Sequence, residues 1–243
     1  MTTISKELVQ ELAPTGTLRA GINMSNFLLV NETSSTGEPD GVSPRMAKAI
    51  ADELGVELRL IPYQGPGDVA DAAQTNEWDI ANIAAEAERA RFINFSPAYC
   101  EIQATYLVPP DSSIQSINEV DKPGVKIAVK ERAAYDLWLS ENLKHATLVR
   151  APSLDESFTI FEQNKLDVLA GLRPKLIEQQ NLMPGSVLFD QSFTAVQQSI
   201  GCQVGKSLAS EYLEDFVQRA KQTGLVSSLI DQFKVTGRLS VAN

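Results

Sequence analysis

Histidine is almost missing from this chain of 243 residues, which has one, His145. It lies in LKHATLV, ahead of a strand pattern and away from any strand exit, so a histidine-based nucleophilic triad has nowhere to form and a surface or edge position is expected. Cysteine is nearly as scarce. Cys100 and Cys202 have no metal-ligand spacing and read as two free, partly buried thiols, able to pair only if the fold brings them together. Cations are outnumbered, 21 Lys and Arg against 31 Asp and Glu, and a formal charge of −10 repels phosphate backbones and anionic lipid, which excludes nucleic acid as an expected partner. No apolar run approaches the roughly 18 residues of a membrane-spanning helix. The opening MTTISKELVQELAPTG lacks a basic stretch followed by an apolar one, so nothing in it directs export: a native start implies the cytoplasm, a removed signal peptide another compartment. GPG at Gly65–Gly67 reads as a loop rather than a phosphate-binding glycine motif, and neither a metal nor a cofactor is expected.

What is present is ordinary globular material, 43% hydrophobic and 21% charged, long enough for one large domain or two smaller lobes. After a flexible or helical lead-in, Thr17–Asn23 reads as a strand. SPRMAKAIADELG follows as a helix, with Ser43 as N-cap, Pro44 at the first position, Gly55 as terminator, and Ala47, Ile50, Ala51 and Leu54 on one face. Glu57–Ile61 is a strand, Asp68–Thr75 a short helix, Trp78–Ile83 a third strand. That alternation implies a parallel sheet. It restarts beyond Tyr106–Pro110, with strands at Val125–Val129, Thr147–Arg150 and Asp167–Ala170 and helices at Ala134–Leu143 and Leu154–Asn164. A strand-like run, Val196–Val204, leads to a helical tail from Leu208 and to TGLVSSLIDQF as a second short helix.

Ligands of open parallel sheets bind beyond the carboxyl ends of the strands. Those positions are polar here: Asn23, Met24, Ser25 and Asn26; Tyr63 and Gln64; Asn82 and the approach to Arg89; Lys130, Glu131 and Arg132; then Leu172 and Arg173. A planar guanidinium grips a carboxylate through two parallel hydrogen bonds, which suits Arg89; the alternative is pairing with Glu86 or Glu88 on a solvated face. Arg132 begins a helix, where the macrodipole disfavours a cation and an anionic ligand removes the conflict; its alternative is an i,i+4 pair with Asp136. Arg173, before Pro174, reads as a surface residue.

The order GTLRAGIN, GEPDGVSPRMAKAIADELGVELRLIPY, EWDIANIAAEAERARFINFSPAY, GVKIAVKERAAYD, LDVLAGLRP and TGLVSSLIDQF resembles the solute-binding proteins of polar amino-acid ABC transporters, over about Thr17–Phe233. The most specific piece is an Arg six residues before a Phe-Ser pair: Arg89, Phe95 and Ser96. The resemblance implies an α/β fold of type II periplasmic binding protein kind. Two lobes, 1–103 with 201–243 and 104–200, each carry a mixed, mainly parallel sheet flanked by helices, and are joined by a two-strand hinge near Tyr99–Tyr106 and Val196–Val204. It implies a monomer, a periplasmic location, an ABC permease as partner and Arg89 as the carboxylate clamp.

Departures from the family pattern bear on the ligand. Where relatives carry Ser or Thr on the third strand's exit this chain has Asn82 and Ala84; the stacking aromatic is matched by Asn26, with Phe27 adjacent and Tyr63 as another ring. The Gly-Ser/Thr pair that opens the second-lobe helix is replaced by Arg132 and Ala133. The position of the ammonium-holding Asp is Leu172, and an ammonium closed in without a carboxylate would lose several kcal/mol of hydration. Arg89, Asn23, Asn26, Tyr63, Asn82, Ala84, Arg132, Ala133 and Leu172 are therefore the expected ligand-binding set, for a small anionic or carboxylate ligand taken up by hinge closure, without catalysis. The resemblance also admits a dehydratase or lyase built on the same scaffold, which needs a general acid where Leu172 stands, and an orphan or sensory ligand-binding module.

Overall fold

A computed structural model describes residues 4–243. The chain opens with α1 (Lys6–Leu12), whose N-cap Ser5 hydroxyl accepts the Leu8 N–H at 3.1 Å. There follow β1 (Thr17–Asn23), the short pair β2 (Glu32–Thr33) and β3 (Pro39–Asp40), α2 (Val42–Leu54), β4 (Glu57–Tyr63), α3 (Pro66–Asp71), β5 (Ile80–Ala84) and β6 (Ile93–Phe95). Then come β7 (Cys100–Val108), β8 (Lys126–Lys130), α4 (Ala134–Asn142), β9 (Thr147–Ala151), α5 (Leu154–Gln163), β10 (Val168–Leu172), α6 (Arg173–Leu182) and β11 (Val187–Leu188). The last stretch holds β12 (Thr194–Gln203), α7 (Ser207–Gln222), α8 (Leu225–Gln232) and β13 (Ser240–Val241). Two compact units result, Met1–Glu101 with Gln197–Asn243, and Ile102–Val196, with β7 and β12 carrying the chain from one to the other.

In the first unit β1 pairs in parallel with β4 on one side and β5 on the other, and β12 closes onto β5 antiparallel, so the sheet is mixed rather than purely parallel. Alternation assigns the faces. Ala81 and Ile83 of β5 pack with Val69, Trp78 and Ile93, while Ile80, Asn82 and Ala84 point to the opposite face. The helix expected to begin at Pro44, capped by Ser43, starts two residues earlier at Val42, because Gly41 is its N-cap. Gly41 has φ +149, and a Cβ there would lie 2.3 Å from the Leu29 carbonyl oxygen, so only glycine fits. Ser43 does not cap; its buried hydroxyl lies 3.0 Å from that of Tyr99, tying α2 to the start of β7. Gly55 ends the helix in the left-handed region, as its sequence position suggests.

Where the strand pattern began at Trp78, the observed strand starts at Ile80. Trp78 is instead a fully buried anchor whose indole N–H donates to the Val69 carbonyl at 2.9 Å. Beside it Asp79, with no exposed surface, accepts the Arg19 guanidinium at 2.8 and 3.0 Å and the Arg19 backbone N–H at 2.9 Å, with Lys206 Nζ 3.9 Å away. Burial pulls the Lys206 ammonium below its usual range despite that carboxylate. Both cysteines are free and fully buried, more so than expected, and burial pushes the Cys202 thiol up to about 11 and the Cys100 thiol well above its ordinary value.

The second unit orders its strands β7, β10, β8, β9, with β10 antiparallel to β7 and the remaining pairs parallel. Leu107, Ala128, Phe161, Leu166, Leu169 and Leu176 form a core cluster. Helix α6 has no counterpart in the sequence reading. RPKLIEQQNL buries Pro174, Leu176 and Gln179 and carries polar residues all round, so no apolar stripe announces it. No described helix is long and apolar enough to cross a membrane.

Replacing Arg19 by Met leaves a fully buried carboxylate short of its main partner. This is expected to cost about 3 kcal/mol in denaturant unfolding; a loss under about 1 kcal/mol would show that Lys206 and the backbone suffice.

Candidate functional site

Arg89 sits in a 3-10 turn, Arg89–Arg91, that follows β5 and precedes β6. The charged run AEAER ends there because the chain turns inward. The Arg89 side chain is 4% exposed, and its Nη1 donates to the carbonyl of Ala84, the last residue of β5, at 2.8 Å. That bond holds the guanidinium against the strand exit, and Arg89 is buried rather than on a solvated face. An open hollow of about 390 Å³ beside this turn is lined by Ala85, Glu86, Ala90, Ile93, Asn94 and Phe95, without Arg89. Ser96, of the Phe-Ser pair, is structural: its hydroxyl accepts the Ile200 N–H at 3.1 Å and donates to the Pro97 carbonyl at 2.8 Å, locking the turn to β12.

Asn82 lies two residues before Ala84 on the same face of β5, between Ile22 and Ile200 in the ladder. It is 1% exposed, and neither its amide nitrogen nor its oxygen has a hydrogen-bond partner. Each orphaned buried polar atom costs on the order of 1–3 kcal/mol. Directly across from Ala84 stands Gln198, 4% exposed, whose side chain shares that face. The sequence reading passed over Gln198. The signal was available in AVQQSIGC, where two consecutive amides interrupt a buried strand.

The other expected residues of this unit serve local turns. Asn23 Oδ1 accepts from the Ser25 N–H at 3.1 Å and its hydroxyl at 2.8 Å, and the buried Asn26 Oδ1 accepts from Leu28 N–H at 3.3 Å, shaping the loop after β1. Phe27 has the Arg238 guanidinium over its ring at 5.5 Å. Tyr63 packs on the Trp78 cluster and donates its hydroxyl to Glu77 at 3.0 Å; burial, then Glu77, raises its pKa to about 12. The structure thus brings Asn82, Ala84 and Arg89 together and gives Tyr63 a packing role.

In the second unit the β8 exit runs through Lys130, 8% exposed, to the exposed Arg132. Arg132 does not begin the helix: α4 starts at Ala134 with the buried Ala133 as N-cap. Arg132 has φ +57, the left-handed region that glycine enters without cost. Its backbone N–H donates to the Asp136 carboxylate at 2.8 Å, and that buried carboxylate also takes the Arg150 guanidinium at 3.0 Å. The carboxylate therefore holds the backbone ahead of the helix and pairs with Arg150. Leu172, 8% exposed, closes β10 opposite Ala104. Arg173 braces strand roots, donating to Gln103 Oε1 at 2.8 Å and to the Asp190 carbonyl at 2.5 Å. His145 is exposed.

The family model for bacterial extracellular solute-binding proteins, family 3, matches residues 18–236. The chain belongs to that family. Among relatives, the cyclohexadienyl dehydratase of Pseudomonas aeruginosa is 30% identical over 127 residues, 51% of this chain and 46% of that protein, so under half of the dehydratase is matched. The ABC transporter glutamine-binding protein GlnH of Bacillus subtilis is 24% identical over 84% of this chain and 76% of its own. The crystal structure of the ancestral amino acid-binding protein AncCDT-1, described as a precursor of cyclohexadienyl dehydratase, superposes with a TM-score of 0.72 at 24% identity, over 93% of this chain and 98% of that one. That likeness establishes the fold, the type II periplasmic binding protein α/β architecture.

The strain at Arg132 is directly measurable. A left-handed non-glycine residue costs about 1–2 kcal/mol, of which glycine's extra unfolded freedom returns about 0.5–1. Arg132→Gly is therefore expected to stabilise the protein by about 0.5–1 kcal/mol in denaturant unfolding, and a loss of stability would contradict this reading.

Proposed function

We propose that this family 3 solute-binding protein captures a small carboxylate-bearing molecule by closing its two units on it, that it does so for an ABC permease, and that it acts without catalysis. The observation that carries the proposal is the buried Arg89 guanidinium fixed on the Ala84 carbonyl, next to the unpartnered Asn82 amide. A guanidinium can offer a carboxylate two parallel N–H bonds, and burial strengthens them. Asn82, Ala84 and Arg89 form the first-unit contact, with Asn23, Asn26 and Tyr63 shaping its rim. Arg132, Ala133 and Leu172 are the second-unit contacts, and Arg132 adds a second positive charge. Leu172 offers no charge to an ammonium, which disfavours an ordinary α-amino acid.

The dehydratase relative supports a second reading, in which the same scaffold performs an elimination on a carboxylic acid. That chemistry requires a general acid facing the substrate. Leucine occupies the natural position, and the acid at a strand exit is Glu131, just after β8. A sensory ligand-binding module is the third reading, distinguished by binding with neither turnover nor a permease.

A thermal-shift screen of carboxylates, dicarboxylates and amino acids tests the proposal. A true ligand at one hundred times its dissociation constant adds about 2.7 kcal/mol of stability. Arg89→Ala is expected to lose about 2–5 kcal/mol of binding, and Arg89→Lys, which keeps the charge but not the fork, to lose most of that while remaining folded by circular dichroism. Unaltered affinity in a folded Arg89→Lys protein would refute the clamp. Mass analysis of the recovered ligand is expected to show no conversion, and conversion would favour the elimination reading.

A further inference from the structure

Asn82 departs from the rule that buried polar groups are hydrogen-bonded: its donor and its acceptor both lack a partner at 1% exposure. The two atoms are different in kind. The NH2 group can only donate and the carbonyl can only accept, and they lie side by side in one plane. A carboxylate meeting this edge would use the donor and leave Oδ1 orphaned. An ammonium would use the acceptor and leave Nδ2 orphaned. A hydroxyl presents one atom where two are needed. The group that satisfies both at once is another amide-like edge, with its own N–H opposite Oδ1 and its own C=O opposite Nδ2.

The surroundings of Asn82 point the same way. Ile22 and Ile200 flank it in the ladder, so neighbouring side chains in register supply no hydrogen-bonding group. Gln198 is the ladder partner of Ala84, and its amide shares the face on which Asn82 lies, one diagonal step along the adjacent strand. Asp79 and its cations are committed to one another at the other end of the strand. Arg89, on the Ala84 carbonyl, supplies the positive charge next to this pair of neutral amides.

We infer that Asn82, with Gln198 across the ladder, reads a planar neutral edge, so that the ligand of this site is a carboxylate that also carries a carboxamide or ureido group. The inference rests on the carboxylate reading of the preceding subsection and narrows it. It makes Asn82 and Gln198 specificity-determining residues, with Arg89 supplying affinity for the carboxylate.

Calorimetry with matched probes tests it: succinamate and N-carbamoyl-β-alanine carry a carboxylate and an amide edge, succinate a second carboxylate, and β-alanine an ammonium, each extended as a short homologous series. The amide-edged member of a series is expected to bind at least about tenfold more tightly than its dicarboxylate and ammonium counterparts. Asn82→Leu is expected to abolish that preference, and Asn82→Asp, an acceptor-only edge, to move the preference toward the ammonium series. Tighter binding of succinate or β-alanine by the unsubstituted protein would overturn the inference and leave the carboxylate reading standing. So would a preference that survives in Asn82→Leu, since Asn82 would then hold a buried water only. If no carboxylate of any series binds, the carboxylate reading fails and the inference with it; if neither variant folds, the ranking in the unsubstituted protein decides.

Discussion

A guanidinium taken almost wholly out of water and bonded to the carbonyl at the end of β5 is the feature around which the strand exits of the first unit are arranged. Arg89 donates to Ala84 at 2.8 Å, and that bond needs β5 to end at Ala84 and the chain to turn at once into the 3-10 segment. The turn in turn needs Ser96 to lock the following strand onto Ile200 of β12. The strand ladder sets the position, the turn returns the side chain, and the hydroxyl keeps the turn closed. The charged first half and apolar second half of AEAERARFINFSPAY follow from this geometry: Glu88 stays in solvent, the arginine folds back, and Ile93 enters the core beside Trp78.

Much of this was legible in the sequence because it depends on local rules. The periodicity of Ala47, Ile50, Ala51 and Leu54 located α2, and Gly55 located its end. Strand exits rich in Asn and Arg located the polar group around Ala84. Three features stayed hidden for physical reasons. Helix α6 buries an amide, Gln179, which donates to the Leu154 carbonyl at 3.3 Å, so its inward face is not apolar. The role of Ser43 depends on Tyr99, more than fifty positions away, and no local pattern links a hydroxyl at the head of a helix to a tyrosine at the head of a strand. Gln198 became visible only through the antiparallel register that sets it opposite Ala84.

Membership of the family fixes the architecture and leaves the choice of ligand to the residues at the strand exits. At Arg132 the backbone accepts strain that glycine would avoid. Asn82 goes unpaired where an apolar side chain of similar size would cost nothing. Each of these is a local penalty that stability alone does not call for.

The central claim is that Arg89 grips a carboxylate, and its most direct test is a crystal structure of the protein with a ligand recovered by the screen. The account predicts a carboxylate with both oxygens about 2.7–2.9 Å from the Arg89 guanidinium nitrogens, with the Ala84 bond intact. A ligand bound without contact to that guanidinium, or an Arg89 that leaves Ala84 to pair with a protein carboxylate when ligand is present, would contradict it.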